Sequence, residues 1–399
     1  MARMSWLFVC ILVSFPALAQ SPFPAFKEHV INPEAGTGLA ITVADVNRDD
    51  KPDIIGVSSE DVAWYENPTW ERHLIADTLR NSNVCIAPQD LDGDGIPELA
   101  LGADWQFNNT ASGGALYLLY HGDDVSQPWK VVTLLEEEPT LHRIRWTDVE
   151  GDGRPELIVA PLKGRDSQPP DFTDTGARLF LLRPPGDFTQ TPWESEEISR
   201  ELHVMHNIWS VPQEGKGDAI LAASFEGVTQ FTRGADGAWF SALLTPGNPE
   251  PVPRSGAGEI KRNVNGPPML ATIEPWHANQ AVVYSLKEGA WERHVITDQL
   301  AGGHAVWWAD FDRDGQDEVL IGWREKAGPR EVPGLNVYDL SVDSTTGELT
   351  ATEYVIDDGG MATEDALAAD LNGDGWPDIV AYGRATQNVK YYENVGDNG

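Results

Sequence analysis

The strongest constraint on this chain is a nine-residue acidic pattern that occurs five times. The first copy carries Asp45, Asn47, Asp49 and Asp53, and the second Asp90, Asp92, Asp94 and Glu98. The third has Asp148, Glu150, Asp152 and Glu156, and the fourth Asp310, Asp312, Asp314 and Glu318. The last has Asp370, Asn372, Asp374 and Asp378. Oxygen-bearing side chains thus hold positions 1, 3, 5 and 9 every time, and Gly holds position 6 in four of the five copies. Short apolar runs flank each copy, such as Leu157 to Ala160 and Ile379 to Tyr382. Runs this short, bounded by Gly and Pro, read as strands, so each acidic segment is a strand–loop–strand turn.

Two further copies keep the frame without the acids, one ending at Gly217 and Asp218 and one at Pro268. With the ninth position as a ruler, the units fall at 53, 98, 156, 218, 268, 318 and 378, seven units of about fifty residues. A second count agrees. Six units close on an aromatic-plus-charge strand, beginning at Trp70, Trp129, Trp193, Trp239, Trp291 and Thr352. The seventh runs out at Tyr391 without one, and the missing strand stands at the other end of the chain, Phe26 to Ile31. A first strand that completes the last unit closes a ring, whereas an open solenoid needs caps at both ends. The expected fold is all-β: one seven-bladed β-propeller over residues 20–399, four strands per blade, sealed by the N-terminal strand.

Three or four carboxylate or amide oxygens within nine residues suit a hard cation, and outside the cell Ca2+ is the natural candidate. The loops are not EF-hands, because position 12 holds Gly56, Leu101, Val159, Ile321 or Ala381 instead of a bidentate Glu. Several structural Ca2+ ions are therefore expected, with Arg48 and Arg313 offsetting part of the loop charge. The loops resemble the FG-GAP/VCBS repeats of integrin-type propellers over nearly the whole chain. That resemblance implies the fold and leaves adhesion, binding and catalysis all open.

Composition narrows the partners. With 63 acidic against 28 basic residues the formal charge is −35, which repels nucleic acid and anionic membrane surfaces. Residues 1–19 read as a signal peptide: Arg3, an apolar run from Trp6, and Ala17-Leu18-Ala19 as the cleavage site. The mature protein is expected to be secreted or periplasmic and not inserted in a membrane. It would retain one cysteine, Cys85, so ring closure and cations must do what disulfides do elsewhere.

The face opposite the acidic loops carries the chemistry. The residue six before the first acid of a loop is an axial position. It is His142 in unit three, His304 in unit six, and Glu364, followed by Asp365, in unit seven. Matching by frame gives His206 in unit four, a position near Arg254 in unit five, and Leu39 and Val84 in units one and two. Histidines at one repeat position of several blades converge on one axis. Strand exits add Lys163, Arg165, Trp276, His277, Arg324 and Arg384, and the first strands add Arg143 and Trp307, as candidate substrate-binding groups, since indoles stack on sugar faces and Arg takes hydroxyls or a carboxylate.

The segments 141–148, 160–165, 302–307, 359–365 and 383–390 resemble the propeller of the aldos-2-ulose dehydratase group. The resemblance implies a metal-containing enzyme that dehydrates a keto-sugar such as 1,5-anhydrofructose. Fungal members also carry cupin domains tied to a later isomerisation; seven propeller units fill this chain, so only the first step is expected here. β-Elimination needs a base for the proton α to the carbonyl, a group that stabilises the enolate, and an acid for the leaving hydroxyl. His142, His206 and His304 are the candidates for base, acid and metal ligand, and Glu364 or Asp365 for orienting an imidazole. Lys163, Arg165 or Arg143 would bind the enolate oxygen. Three neutral histidines with an open position also suit Zn2+. A uronate polymer is a variant substrate for the same carbon–oxygen lyase chemistry. The competing reading is a non-catalytic, cation-stabilised propeller that binds a glycan or a protein.

Overall fold

The computed structural model describes residues 23–77, 79, 82–326, 330–343 and 346–396. The signal-peptide reading of residues 1–19 lies outside them. Among the described residues no helix is long and apolar enough to cross a membrane.

Seven four-stranded antiparallel sheets form the chain, with one two-stranded ribbon between the fourth and fifth. The first blade is typical: Gly38–Ala44, Asp53–Ser58, Val62–Glu66 and Glu71–Ala76, in that order outward from the axis. Six blades are consecutive in sequence. The seventh uses Thr363–Ala369, Asp378–Gly383 and Val389–Asn394, and takes its outer strand, Phe26–Asn32, from the N-terminus. Phe26 pairs with Asn394 and Val30 with Lys390, so the expected closure is observed. Both counts of units are borne out.

Second strands are buried end to end, as in Glu98–Ala103 and Glu318–Trp323, because both faces pack on neighbouring blades. The apolar side chains form one cluster between each pair of adjacent blades rather than one central core. Trp64 with Leu101 and Phe180 with Leu116 fill two of these seams. Cys85 is buried and free, and burial pushes its thiol up to about 12, so it is inert.

One ion cluster locks the seventh blade. Lys390, nearly buried, lies 2.9 Å from Asp357 of blade six and 3.0 Å from Glu28 of the closing strand, while Tyr392 donates to Asp357 at 2.7 Å. Replacing Lys390 by Met would leave the Asp357 carboxylate buried without a counter-charge. We expect Lys390→Met to cost about 3–5 kcal/mol in denaturant unfolding. A loss below about 1 kcal/mol would mean the closing strand does not depend on this cluster.

Unit five departs from expectation. Its inner strand is only Lys261–Arg262, and the axial position is Gly258, not the neighbourhood of Arg254. Arg254 instead pairs with Glu250 on the exposed ribbon, at 2.8 Å.

Candidate functional site

At the axial positions of four blades the strand register slips by one residue, at Leu39, His142, His304 and Glu364. Such a bulge turns a side chain out of the alternation and re-aims it. The aimed side chains meet at one mouth of the central channel. There a cavity of about 210 Å³ is lined by His142, His277, His304, Glu364, Arg143, Arg324 and Arg384, with Leu39, Val84, Trp105, Phe107 and Trp276 as its apolar wall.

The imidazoles are held by backbone of the next blade. Nδ1 of His142 donates to the His206 carbonyl at 3.0 Å, and Nδ1 of His206 to the Gly258 carbonyl at 2.8 Å. Nδ1 of His304 donates to the Glu364 carbonyl. A carbonyl only accepts, so each ring carries its proton on Nδ1 and presents Nε2 as a lone pair. Nε2 of His206 is met at 2.6 Å by Nε2 of His277, whose Nδ1 accepts from Arg324 at 3.1 Å. Nε2 of His142 makes no hydrogen bond, and neither does Nε2 of His304, which lies 3.7 Å from a Glu364 oxygen. Burial, assisted by the Arg143 and Arg324 charges, pushes all four imidazoles well below their usual value, so they are neutral. One ligand atom each from His206, His277 and His304 lies within 4.8 Å of the others, a set that fits a borderline-soft divalent metal such as Zn2+.

Glu364 ties the rim together. One oxygen lies 2.6 Å from Arg324 and the other 2.6 Å from Arg384. Deeper in the channel a second cavity, about 360 Å³, shares Arg143 and His304 with the first and adds Arg145, Asn207, Glu259, Lys261, Trp307 and Asp365.

The structure thus brings together His142, His206, His277, His304, Glu364, Arg143, Arg324, Arg384 and Trp276. It places others elsewhere. Lys163 is 2% exposed, its ammonium 3.6 Å from the ring centres of both Phe107 and Phe172, and it donates to the Phe107 carbonyl at 2.7 Å. Arg165 binds the carbonyls of Ala111 and Glu137. Neither lines the cavity, whereas Arg143, the third cation expected beside them, does. Asp365 and Trp307 line the deeper channel, and both Asp365 oxygens accept backbone amides, from Ile41 and Ala366. Sequence reasoning passed over Glu259, a buried acid 3.1 Å from His206 Nδ1, because the frame of unit five was lost. The remaining histidines belong to other contacts. His121 pairs with Asp94 at 3.0 Å, His203 with Glu226 at 2.7 Å, His29 with Glu393 at 2.7 Å and His73 with Glu66 at 3.0 Å, while His294 meets Ser285.

The acidic loops share one construction. Positions 4 and 6 adopt left-handed backbone, at φ of 79° and 90° for Gly93 and Gly95, which is why Gly recurs there. In the first loop Arg48 and Asp50 take these conformations without glycine. The first Asp gathers loop amides, as Asp90 does from Gly93 at 2.7 Å and Gly95 at 3.0 Å. The ninth-position acid is a brace. Asp53, Glu98, Glu156, Glu318 and Asp378 each accept the amide of the loop's second residue, for instance Phe311 to Glu318 at 2.7 Å. Asp53 and Asp378 spend their other oxygen on the amides of Asn67 and Asn394.

Loop four of the series, Asp310, Asp312, Asp314 and Glu318, offers one oxygen from each residue within 4.8 Å, and the buried Oδ1 of Asp310 has no hydrogen-bond partner. That donor set fits a hard cation. Asp90, Asp92 and Asp94 also converge. In the third loop Glu150 is drawn to Arg183 at 2.8 Å and Asp152 to Arg154 at 2.6 Å. Arg48 and Arg313 reach sideways, toward Gly95 and over Trp376 of the neighbouring loops.

Fold and site together define a seven-bladed β-propeller with a histidine- and arginine-lined mouth opposite its acidic loops. No protein-family model matches the chain. It is 26% identical over 270 residues to aldos-2-ulose dehydratase of Phanerodontia chrysosporium, a stretch covering 61% of this chain and 29% of that protein. The match therefore spans under a third of the relative's length. A chain in the crystal structure of BBS1N in complex with ARL6DN superposes with a TM-score of 0.55 at 12% identity, covering 94% of this chain and 98% of that one. At that identity the likeness is one of fold alone.

Proposed function

We propose that this protein is an exported, carbohydrate-active propeller that carries out β-elimination on a keto-sugar or uronate at the histidine mouth, with FG-GAP/VCBS-like loops holding structural Ca2+. The observation that carries the reading is His142: a buried, neutral imidazole on the cavity wall with its proton fixed on Nδ1 and its Nε2 unengaged. The similarity to a sugar dehydratase supports it. His206, His277 and His304 would hold a divalent metal, which supplies Lewis-acid polarisation of a carbonyl when bound.

His142 takes the proton α to the carbonyl on Nε2. The electron pair of that C–H bond becomes the enolate and then the new C=C bond as the β C–O bond breaks. Arg143 and Arg324 donate to the enolate oxygen. The imidazolium so formed is disfavoured by burial and by Arg143, so it is a strong acid toward the departing hydroxyl. One histidine can therefore carry the proton from carbon to oxygen, and water leaves when the leaving group is a hydroxyl. The wall of Trp105, Phe107 and Trp276 would equally serve a binding protein without turnover; Phe107 and Trp276 are stacked, 5.6 Å apart at 17°.

The test is an elimination assay on a panel of keto-sugars and uronates, followed by ultraviolet absorbance of the conjugated product, with metal analysis of the same sample. We expect turnover and about one transition-metal equivalent beyond the loop cations. Ligand binding with no turnover on any panel member would leave the non-catalytic reading.

A further inference from the structure

The axis of this acidic protein is positively charged. The two connected cavities are lined by five cationic side chains, Arg143, Arg145, Lys261, Arg324 and Arg384, against three carboxylates, Glu259, Glu364 and Asp365. The histidines add no charge. This surplus sits inside a chain of net charge −35. Burying unmatched cations is costly, so a site that keeps them is built for a counter-charge from outside.

The rim shows where that charge would land. Arg324 and Arg384 share a single carboxylate, Glu364, and the other partner of Arg324 is the neutral His277 imidazole, so two guanidiniums face one negative charge. Arg384 remains 40% exposed at the mouth, while Glu364 is 5% exposed beneath it. Two donors nearby are also unspent: the indole N–H groups of Trp105 and Trp276 are buried and have no hydrogen-bond partner, although both rings line the cavity. Unmet buried donors beside an unmatched guanidinium form an oxyanion-binding set. At about 210 Å³ the cavity is smaller than the roughly 300–1,000 Å³ that drug-sized ligands occupy, and suits a single sugar ring.

We infer that the ligand of the histidine mouth is an anionic sugar, one carboxylate-bearing ring whose carboxylate is taken by Arg384 and Arg324. This rests on the carbohydrate reading above and narrows it, choosing acidic over neutral sugars. For an elimination the placement is apt, because a carboxylate whose charge is matched by guanidinium makes its α carbon easier to deprotonate.

The probes are galacturonate and glucuronate, their methyl esters, and the parent hexoses, titrated against full-length mature protein with tryptophan fluorescence and calorimetry as readouts. At least one acid should bind tenfold or more tighter than its own methyl ester, with affinity falling as salt rises. Arg384→Gln should erase that preference and leave the melting temperature within a few degrees; Arg324→Gln is the second variant. Equal binding of acid and ester, no binding of either, or a preference that survives both substitutions would overturn the inference. Its failure is separable from that of the elimination reading. Acids that bind but are not converted sink the elimination and keep the anionic site. Neutral keto-sugars that are turned over, while acids neither bind nor react, do the reverse.

Discussion

Stripping the divalent cations proposed for the loops should lower the melting temperature by on the order of 15–25 °C. A site filled at a hundredfold excess over its Kd contributes about 2.7 kcal/mol to the folded state. Five loops carry the pattern, and each kcal/mol moves the midpoint by about 1–2 °C in a chain of this size. The loops also predict how the stripped protein answers to pH. Burial, with neighbouring carboxylates adding to it, pushes Glu98 and Glu156 up to about 7 and Glu318 to about 9; Asp53 and Asp378 rise to about 6. A carboxyl raised in the folded state holds its proton there after the unfolded chain has released it. Its stabilising effect is complete below the unfolded value, 4.5 for Glu and 3.8 for Asp, and is lost as pH climbs through the folded one. The metal-free protein should therefore be most stable near pH 5 and lose stability toward pH 8–9, and added Ca2+ should flatten that slope. A midpoint indifferent to a strong chelator after exhaustive stripping would refute structural cations. A stripped protein equally stable at pH 5 and 8 would refute the role of the ninth-position acids.

The propeller was legible because its signals are local and repeated. The 1-3-5-9 loop needs only nine residues to announce a turn between two strands, and the strand Phe26–Asn32 matches in composition the outer strands it replaces. The histidine cluster was legible for a related reason: one repeat position, seen from several blades, is one place in space. What escaped depends on contacts distant in sequence. Blade five has a two-residue inner strand, so counting back from an acid had nothing to count from, and Gly258 and Glu259 were missed. Lys163 looks like a rim cation in sequence. It is buried because Phe107 and Phe172, from two separate loops, close over its ammonium, and burial without a nearby acid pushes it down to about 8. The one-residue slips at His142, His304 and Glu364 leave no mark in the alternation of the strands, yet they aim the catalytic candidates.

In the proposed elimination those aimed side chains would divide the work, and His142→Gln should show it. The amide of Gln can still reach the His206 carbonyl, so the fold and the His206–His277–His304 set have little reason to change. What is lost is an imidazole that lines the cavity with an Nε2 free of hydrogen bonds and of any nearby carboxylate. Turnover should fall by about 10²–10⁴-fold, the range a positioned general base supplies, with KM and metal content preserved. His206→Gln should do something different. It removes the centre of the cluster, fully buried and in ring contact with His142, His277 and His304, so it should release the transition metal and lower the melting temperature as well. The pH profile adds an independent mark. Because burial and Arg143 hold the His142 imidazole neutral well below 6.5, the acid limb of kcat/KM in the unmutated protein should lie below that value. An acid limb at or above 6.5, or a His142→Gln variant that keeps its turnover, would remove His142 as the base and return the proton transfer to His304, the other cavity histidine with an Nε2 short of a partner.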